Sequence, residues 1–243
     1  MFTFLKSLQN NSEVDDKIFL TFDMDWAHDL VIRDTLGILE KFNATATWFV
    51  THDSKILNDL RKHSLNFELG IHPNFNPLFF QDSDKKYSSA KDIILNILKV
   101  VPEAVSARSH SLTTNSIILN ELKLSGILLD ANIFLPWRSG ICIYPYFADG
   151  VLRCPHFFAD DDYILSTSPL KKPKASDLLS CKGLKIFDFH PIHIFLNTEN
   201  IERYEGTRHL HNDPEKLIEY RYDGYGVRNL LIDILNASSL NYQ

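Results

Sequence analysis

The sequence predicts a single α/β domain built on a parallel sheet, and three observations carry that expectation. Short apolar runs alternate with segments of helical period over most of the 243 residues. No linker, internal repeat or low-complexity tract divides them, so residues 1–243 read as one unit. Acidic residues and histidines recur at or just past the ends of the apolar runs, which share one rim in a parallel sheet.

Taken in order, Ile18-Phe-Leu-Thr-Phe22 is a buried strand that stops at Asp23. A helix capped near Asp29 runs to about Phe42, with Ile32, Leu36 and Leu39 on one stripe. Ala44–Val50 is rich in β-forming residues and makes the next strand. After a short helical stretch around Leu60, Asn66–Ile71 is a third strand ending at His72. Ser88–Val101 carries Ile94, Ile97, Leu98 and Val101 at helical spacing, and Pro102 closes it. Ala104–Ala107 is a short strand running into Arg108, Thr114–Leu124 a helix, and Gly126–Leu129 a strand ending at Asp130. Residues 131–150 read as a long loop, and the aromatic stretch from 131 to 163 as a substrate-facing insertion. Val151–Cys154 and Leu184–Phe189 are strands, the second ending at His190, and helices near Pro214–Arg221 and Val227–Asn236 close the chain.

Composition narrows the function classes. A hydrophobic fraction of 44% beside 23% charged residues is that of a globular protein rather than a disordered one. With a formal net charge of -6 and basic residues in no dense run, a nucleic-acid-binding face is not expected. Cys142, Cys154 and Cys181 are far apart, with no C-x-x-C pair, and read as small apolar fillers in a reducing compartment. The N-terminus lacks the pattern of a signal peptide, and no run approaches the roughly 20 apolar residues of a membrane span. The expectation is a soluble, cytoplasmic protein with no transmembrane segment; the sequence carries no signal for its oligomeric state.

Four motifs bear chemistry. Thr21-Phe-Asp-Met-Asp-Trp26 sets two carboxylates two residues apart, so in an extended chain Asp23 and Asp25 face the same way. One can then bind a metal while the other stays free as a base; the same pair also suits a solvated turn or helix cap. His72 leaves a strand and is fixed by Pro73, which fits either a neutral imidazole ligand or a satisfied structural histidine. Asn76 falls one helical turn further on if a helix starts there, offering a weak oxygen donor. In Ala107-Arg-Ser-His-Ser111, Arg108 can pair with a carboxylate and His110 can be a third ligand or a substrate contact, against an ordinary surface salt bridge. His190 emerges on the same rim, whereas His193 reads as structural and His52 as a weaker rim candidate. His28, His63, His156, His209 and His211 read as exposed or substrate-adjacent. Asp160-Asp-Asp162 reads as a solvated acidic turn, with contact to substrate as the alternative. Trp137, Tyr144, Tyr146, Phe147, Phe157 and Phe158 suit sugar stacking or simple packing of the loop.

Together these motifs, in this order from about Lys17 to Asn197, resemble the polysaccharide deacetylase family, the NodB-homology carbohydrate esterases. The wording of Val50-Thr-His-Asp, His72-Pro-Asn-Phe-Asn and His190-Pro-Ile-His-Ile-Phe-Leu-Asn is similar to a subgroup linked to bacterial surface-polysaccharide, O-antigen-like biosynthesis. The resemblance implies a distorted (β/α)7-8 TIM-like barrel with Asp23 as base, Arg108 ordering it, Asp25 and His72 as metal ligands, and His190 as the final histidine. The chain departs from the family where Asn76 replaces a second histidine ligand and where Arg108-Ser-His-Ser111 lacks the usual proline and aromatic. His110 is then expected to supply the missing imidazole, giving Asp25, His72 and His110 around a divalent metal, zinc by its mixed ligands, with Asn76 a weak or outer group. The implied reaction is hydrolysis of an N-acetyl group on a sugar or glycan. A phosphoesterase, or a glycan-binding relative with a decayed metal site, are the alternatives.

Overall fold

The apolar runs pair in parallel. The computed structural model describes residues 1–10, 13–79, 88–166 and 172–240. Its strands are β1 (Ile18–Asp23), β2 (Ala46–Val50), β3 (Phe67–Ile71), β4 (Ser106–Ala107), β5 (Leu129–Asp130), β6 (Tyr146–Ala148), β7 (Val151–Arg153), β8 (Phe158–Ala159) and β9 (Lys185–Phe189). They form one nine-stranded sheet in the order β6-β7-β5-β4-β3-β2-β1-β9-β8. Only β6 runs antiparallel, as the return arm of a hairpin with β7. Every residue of β1, β2, β3 and β9 is buried, as expected of parallel strands covered on both faces.

The sheet curls, and its ring is completed by backbone hydrogen bonds between two loop segments. Past β5 the chain leaves β7 and runs beside His156 and Phe157. Leu135 N–H donates to His156 C=O (3.0 Å), His156 N–H to Ile133 C=O (2.9 Å) and Trp137 N–H to Phe157 C=O (2.8 Å). Phe157 N–H in turn donates to Ile186 C=O at 3.1 Å, joining this seam to β9. The result is a distorted α/β barrel.

Helices cover the outside. Asp29–Lys41 buries Val31, Ile32, Thr35, Leu36, Ile38 and Leu39, the stripe its period predicts. Ala90–Leu98 is capped by Ser89 Oγ accepting from Asp92 N–H, and Ser116–Leu124 by Asn115 Oδ1 accepting from Ile118 N–H. Inside, Gly70 of β3 admits a close approach: a Cβ there would lie 2.6 Å from Ser106 Oγ and 2.8 Å from the Phe49 ring.

Some boundaries differ from expectation. The strand placed at Gly126–Leu129 is the shorter, later β5, because Gly126 (φ 87°) ends the preceding helix in a left-handed turn. The loop expected over 131–150 contains β6, which gains its partner only once β7 is in place. Helices at Asp160–Leu165, Ala175–Leu179, Pro191–Leu196 and Ile201–Thr207 were not legible; each is seven residues or fewer, too short to show a period. Of the expected aromatic stackers, Phe157 and Phe158 are core residues at 3% and 2% exposure.

Candidate active site

The ends of β1, β3, β4, β8 and β9 deliver polar groups to one end of the barrel, around a cavity of about 320 Å³. Asp23, Asp25, His72, His110, His156, Asp188 and His190 all line it.

Asp23 closes β1 and is buried. Arg108, just past β4 and 0% exposed, donates from Nη1 to Asp23 Oδ1 (2.9 Å) and to Asp188 Oδ1 (2.6 Å). Its Nη2 donates to Thr21 Oγ1 at 2.8 Å and its Nε to the Ala131 carbonyl at 3.3 Å, while the guanidinium sits 4.7 Å from the Phe49 ring centre. A buried cation thus serves two carboxylates. Burial pushes the Asp188 carboxyl well above the usual carboxylate range, against the pull of Arg108.

The extended chain expected at Asp25 is not what forms. Met24 is tucked into the core and the backbone turns left-handed, with φ 42° at Asp25 and 56° at Trp26. The turn still brings the Asp25 carboxylate to the cavity. Asp25 Oδ1 lies 3.0 Å from His72 Nε2 and 3.0 Å from His110 Nδ1, and Oδ2 lies 3.5 Å from His190 Nε2. Burial alone would raise the Asp25 pKa, but the hydrogen bond with His110 and the close approach of the His72 imidazole outweigh it and hold the carboxyl well below its ordinary range. Asp25 in turn raises the pKa of His110.

His72 is buried, and neither ring nitrogen has a well-formed hydrogen bond, although Nε2 faces Asp25 and Nδ1 lies 3.5 Å from Asp23 Oδ2. Buried polar atoms left this way ask for another partner. One ligand atom from each of Asp25, His72 and His110 lies within 4.8 Å of the others, and the donor set is mixed imidazole and carboxylate. These residues fit a first-row divalent metal ion.

The loops are tied together around this group. His110 N–H donates to the Pro73 carbonyl (3.0 Å), and Ser109 N–H to Asn132 Oδ1 (2.7 Å), whose amide donates to Asp130 at 2.5 Å. Asp130 also pairs with Arg153, so this rim carboxylate braces the His110 loop. Asn76 is engaged elsewhere. Its Oδ1 accepts from Thr113 Oγ1 (2.9 Å) and its Nδ2 donates to Ser111 Oγ (3.2 Å). The helix begins at Asn76 itself, so Asn76 and His72 do not stack one turn apart.

Opposite, His190 follows β9. Its Nδ1 is 2.7 Å from Asp160 Oδ1, and its backbone N–H donates to Asp160 Oδ2 at 2.6 Å. Asp160 is 0% exposed, which corrects its reading as part of a solvated turn. Burial would lower the His190 pKa; Asp160 and Asp161 overcome this and raise it well above the ordinary histidine value. His193 is buried between Thr198 and Asp161. His156, stacked on Phe134, is fully buried, and burial beside Arg108 drives its pKa well down, leaving it neutral. His52 lies away from this cavity, lining a neighbouring one.

Asp188 was missed altogether in the sequence, as was the tie of Asp160 to His190. Asp188 had a signal, a lone acid inside the apolar strand Phe187-Asp-Phe189; Asp160, thirty positions before its partner, had none.

Residues 20–208 match the family model of WbmS-like polysaccharide deacetylases. The chain belongs to that polysaccharide deacetylase family. A crystal structure from Bordetella bronchiseptica, described as a polysaccharide deacetylase involved in O-antigen biosynthesis, is similar to it at 34% identity and a TM-score of 0.84, covering 98% of both chains. A 4-alpha-glucanotransferase from Thermococcus litoralis shares the fold alone, at 11% identity and a TM-score of 0.52 over 91% of this chain and 36% of that one. No curated protein matches.

Proposed function

We propose that this chain is a zinc-type metal-dependent N-deacetylase that removes an acetyl group from an amino sugar or glycan during surface-polysaccharide assembly. The observation that carries the reading is one cavity in which the Asp25–His72–His110 donor group lies between an arginine-held carboxylate and an aspartate-held imidazole. The B. bronchiseptica relative supports the biosynthetic setting. We read the whole chain as one catalytic domain. Three free thiols fit a reaction in the cytoplasm, and no helix among the described residues is long and apolar enough to cross a membrane.

In this reading Asp25, His72 and His110 hold the ion, with Asn76 outside the set. A divalent ion there supplies Lewis-acid activation of a water and of the acyl carbonyl. Asp23 takes the proton of the attacking water. Arg108 grips Asp23 Oδ1 and leaves Oδ2, 3.5 Å from His72 Nδ1, outside that hydrogen bond, which fixes the base in place. As the carbon–nitrogen bond breaks, His190 hands its proton to the departing nitrogen, because an amide anion is a very poor leaving group. Asp160 orients that imidazole through Nδ1, keeping Nε2 on the cavity side. The products are acetate and a free amine.

The test combines metal content with acetate release from N-acetylated sugars. Asp23→Asn and His190→Ala are expected to keep about one metal per chain and to lose at least about a hundredfold in kcat, the usual share of general acid–base catalysis. Near-normal turnover by His190→Ala overturns the acid assignment; a metal-loaded wild type that releases no acetate from any N-acetylated glycan overturns the reading.

A further inference from the structure

Trp26 is at odds with the economy of the rest of the fold. Trp48 is fully buried, yet Trp26 leaves 45% of its surface in solvent, and at a backbone φ of 56°. A bulky residue in the left-handed region is a genuine outlier, and such strain persists where the surroundings enforce it, commonly at ligand sites. Here Thr51 Oγ1 accepts the Trp26 N–H at 3.1 Å, and the indole meets the His110 ring edge-on at 5.1 Å. The ring therefore borders the donor group without belonging to it.

It also forms a wall of a second cavity, of about 440 Å³, with Thr51, His52, Asp53 and Asn74. His72 lines both this cavity and the reaction cavity, so the two adjoin at the ligand group. An exposed indole offers a flat apolar face to the C–H side of a sugar ring. Thr51, His52, Asp53 and Asn74 supply the hydroxyl-binding donors and acceptors that such a ring needs. Among the described residues no lysine or arginine lines this second cavity, and Asp53 is the carboxylate in its wall, so it offers no basic side chain to a phosphate-bearing group.

We propose that Trp26 and the cavity beside His52 and Asp53 form a second sugar subsite, which binds the ring next to the acetylated one in an uncharged oligosaccharide. The proposal rests on the deacetylase reading for what happens in the first cavity, but the subsite binds independently of turnover. The substrate would then be a sugar already joined into a chain, so a glycosyl-transfer reaction must come before this one.

The experiment measures binding by calorimetry to the zinc-loaded full chain, with N-acetylglucosamine, its β-1,4-linked tetramer and UDP-N-acetylglucosamine as probes; acetate release is followed separately. Tetramer binding at least about tenfold tighter than the monomer is expected, with Trp26→Ala collapsing that ratio towards one and Trp26→Phe retaining most of it. A tetramer no tighter than the monomer, or an unchanged ratio in Trp26→Ala, overturns the subsite. A nucleotide sugar bound more tightly than the tetramer through Trp26 overturns it in favour of base stacking. Trp26-dependent tetramer binding without acetate release upholds the subsite and sinks only the deacetylase reading.

Discussion

Replacing Arg108 with methionine removes the buried cation while keeping an unbranched stem against Phe49. Two carboxylates, a hydroxyl and a backbone carbonyl lose their donor, and both Asp23 and Asp188 are left in a site almost closed to water. Breaking one side of a buried ion pair costs about 3–5 kcal/mol, because the stranded charge keeps its desolvation penalty. Asp188 softens the loss: its carboxyl is already pushed towards the neutral form, so protonation relieves one of the two charges. The expected destabilisation is therefore near the lower end, about 3 kcal/mol, read as a shift in urea midpoint at constant slope. Adding Asp188→Asn to Arg108→Met should recover part of it, whereas Asp188→Asn alone should cost little. A loss below about 1 kcal/mol for Arg108→Met, or a further loss in the double variant, would refute this account of the charge network.

Metal content should separate the donor set from its neighbours: Asp25→Ala, His72→Ala and His110→Ala lose the ion, while Asn76→Ala retains it, its amide being held by Thr113 and Ser111. Loss with Asn76→Ala and retention with His110→Ala would restore the ligand position that resemblance to the family first implied. Asp160→Asn should lower kcat about ten- to a hundredfold, the loss of one hydrogen bond to a charged partner. Because Asp160 holds the His190 pKa up, the alkaline limb of its pH profile should move to lower pH, and an unmoved limb counts against the pairing. Glu68 is buried and its pKa is raised by burial, so its contribution to stability is full below the ordinary glutamate pKa and is lost as pH rises through the raised one. Glu68→Gln should accordingly gain melting temperature relative to wild type at pH 8 and forfeit that advantage near pH 4.

The rim was legible because its residues sit where apolar runs stop. Asp23, His72, Arg108 and His190 each follow a strand whose burial pattern the sequence displays. Asp25 reaches the cavity by another route than the one expected. Extended geometry would have aligned it with Asp23, but burial of Met24 forces the turn, and backbone torsion leaves no trace in residue order. Asp160 was misread for a related reason. Three consecutive aspartates look solvated, and only the folded chain shows Asp160 under His190, Asp161 beside His193 and Asp162 on Arg138. Partnerships made across the barrel, thirty or more positions apart, have no local signature.

The seam that closes the barrel carries a consequence for how this family can diversify. The segments that complete the ring, Ile133–Trp137 and His156–Phe157, are also the ones that put Phe134 and His156 into the cavity wall. Barrel closure and the shape of this cavity wall are thus written in the same few residues. A substitution that enlarges the pocket at Phe134 also loosens the hoop, and an insertion there risks opening it. The Trp26 and Asp53 side rests on complete strands, so that flank can change without disturbing the ring, while the seam ties the opposite wall of the cavity to barrel closure.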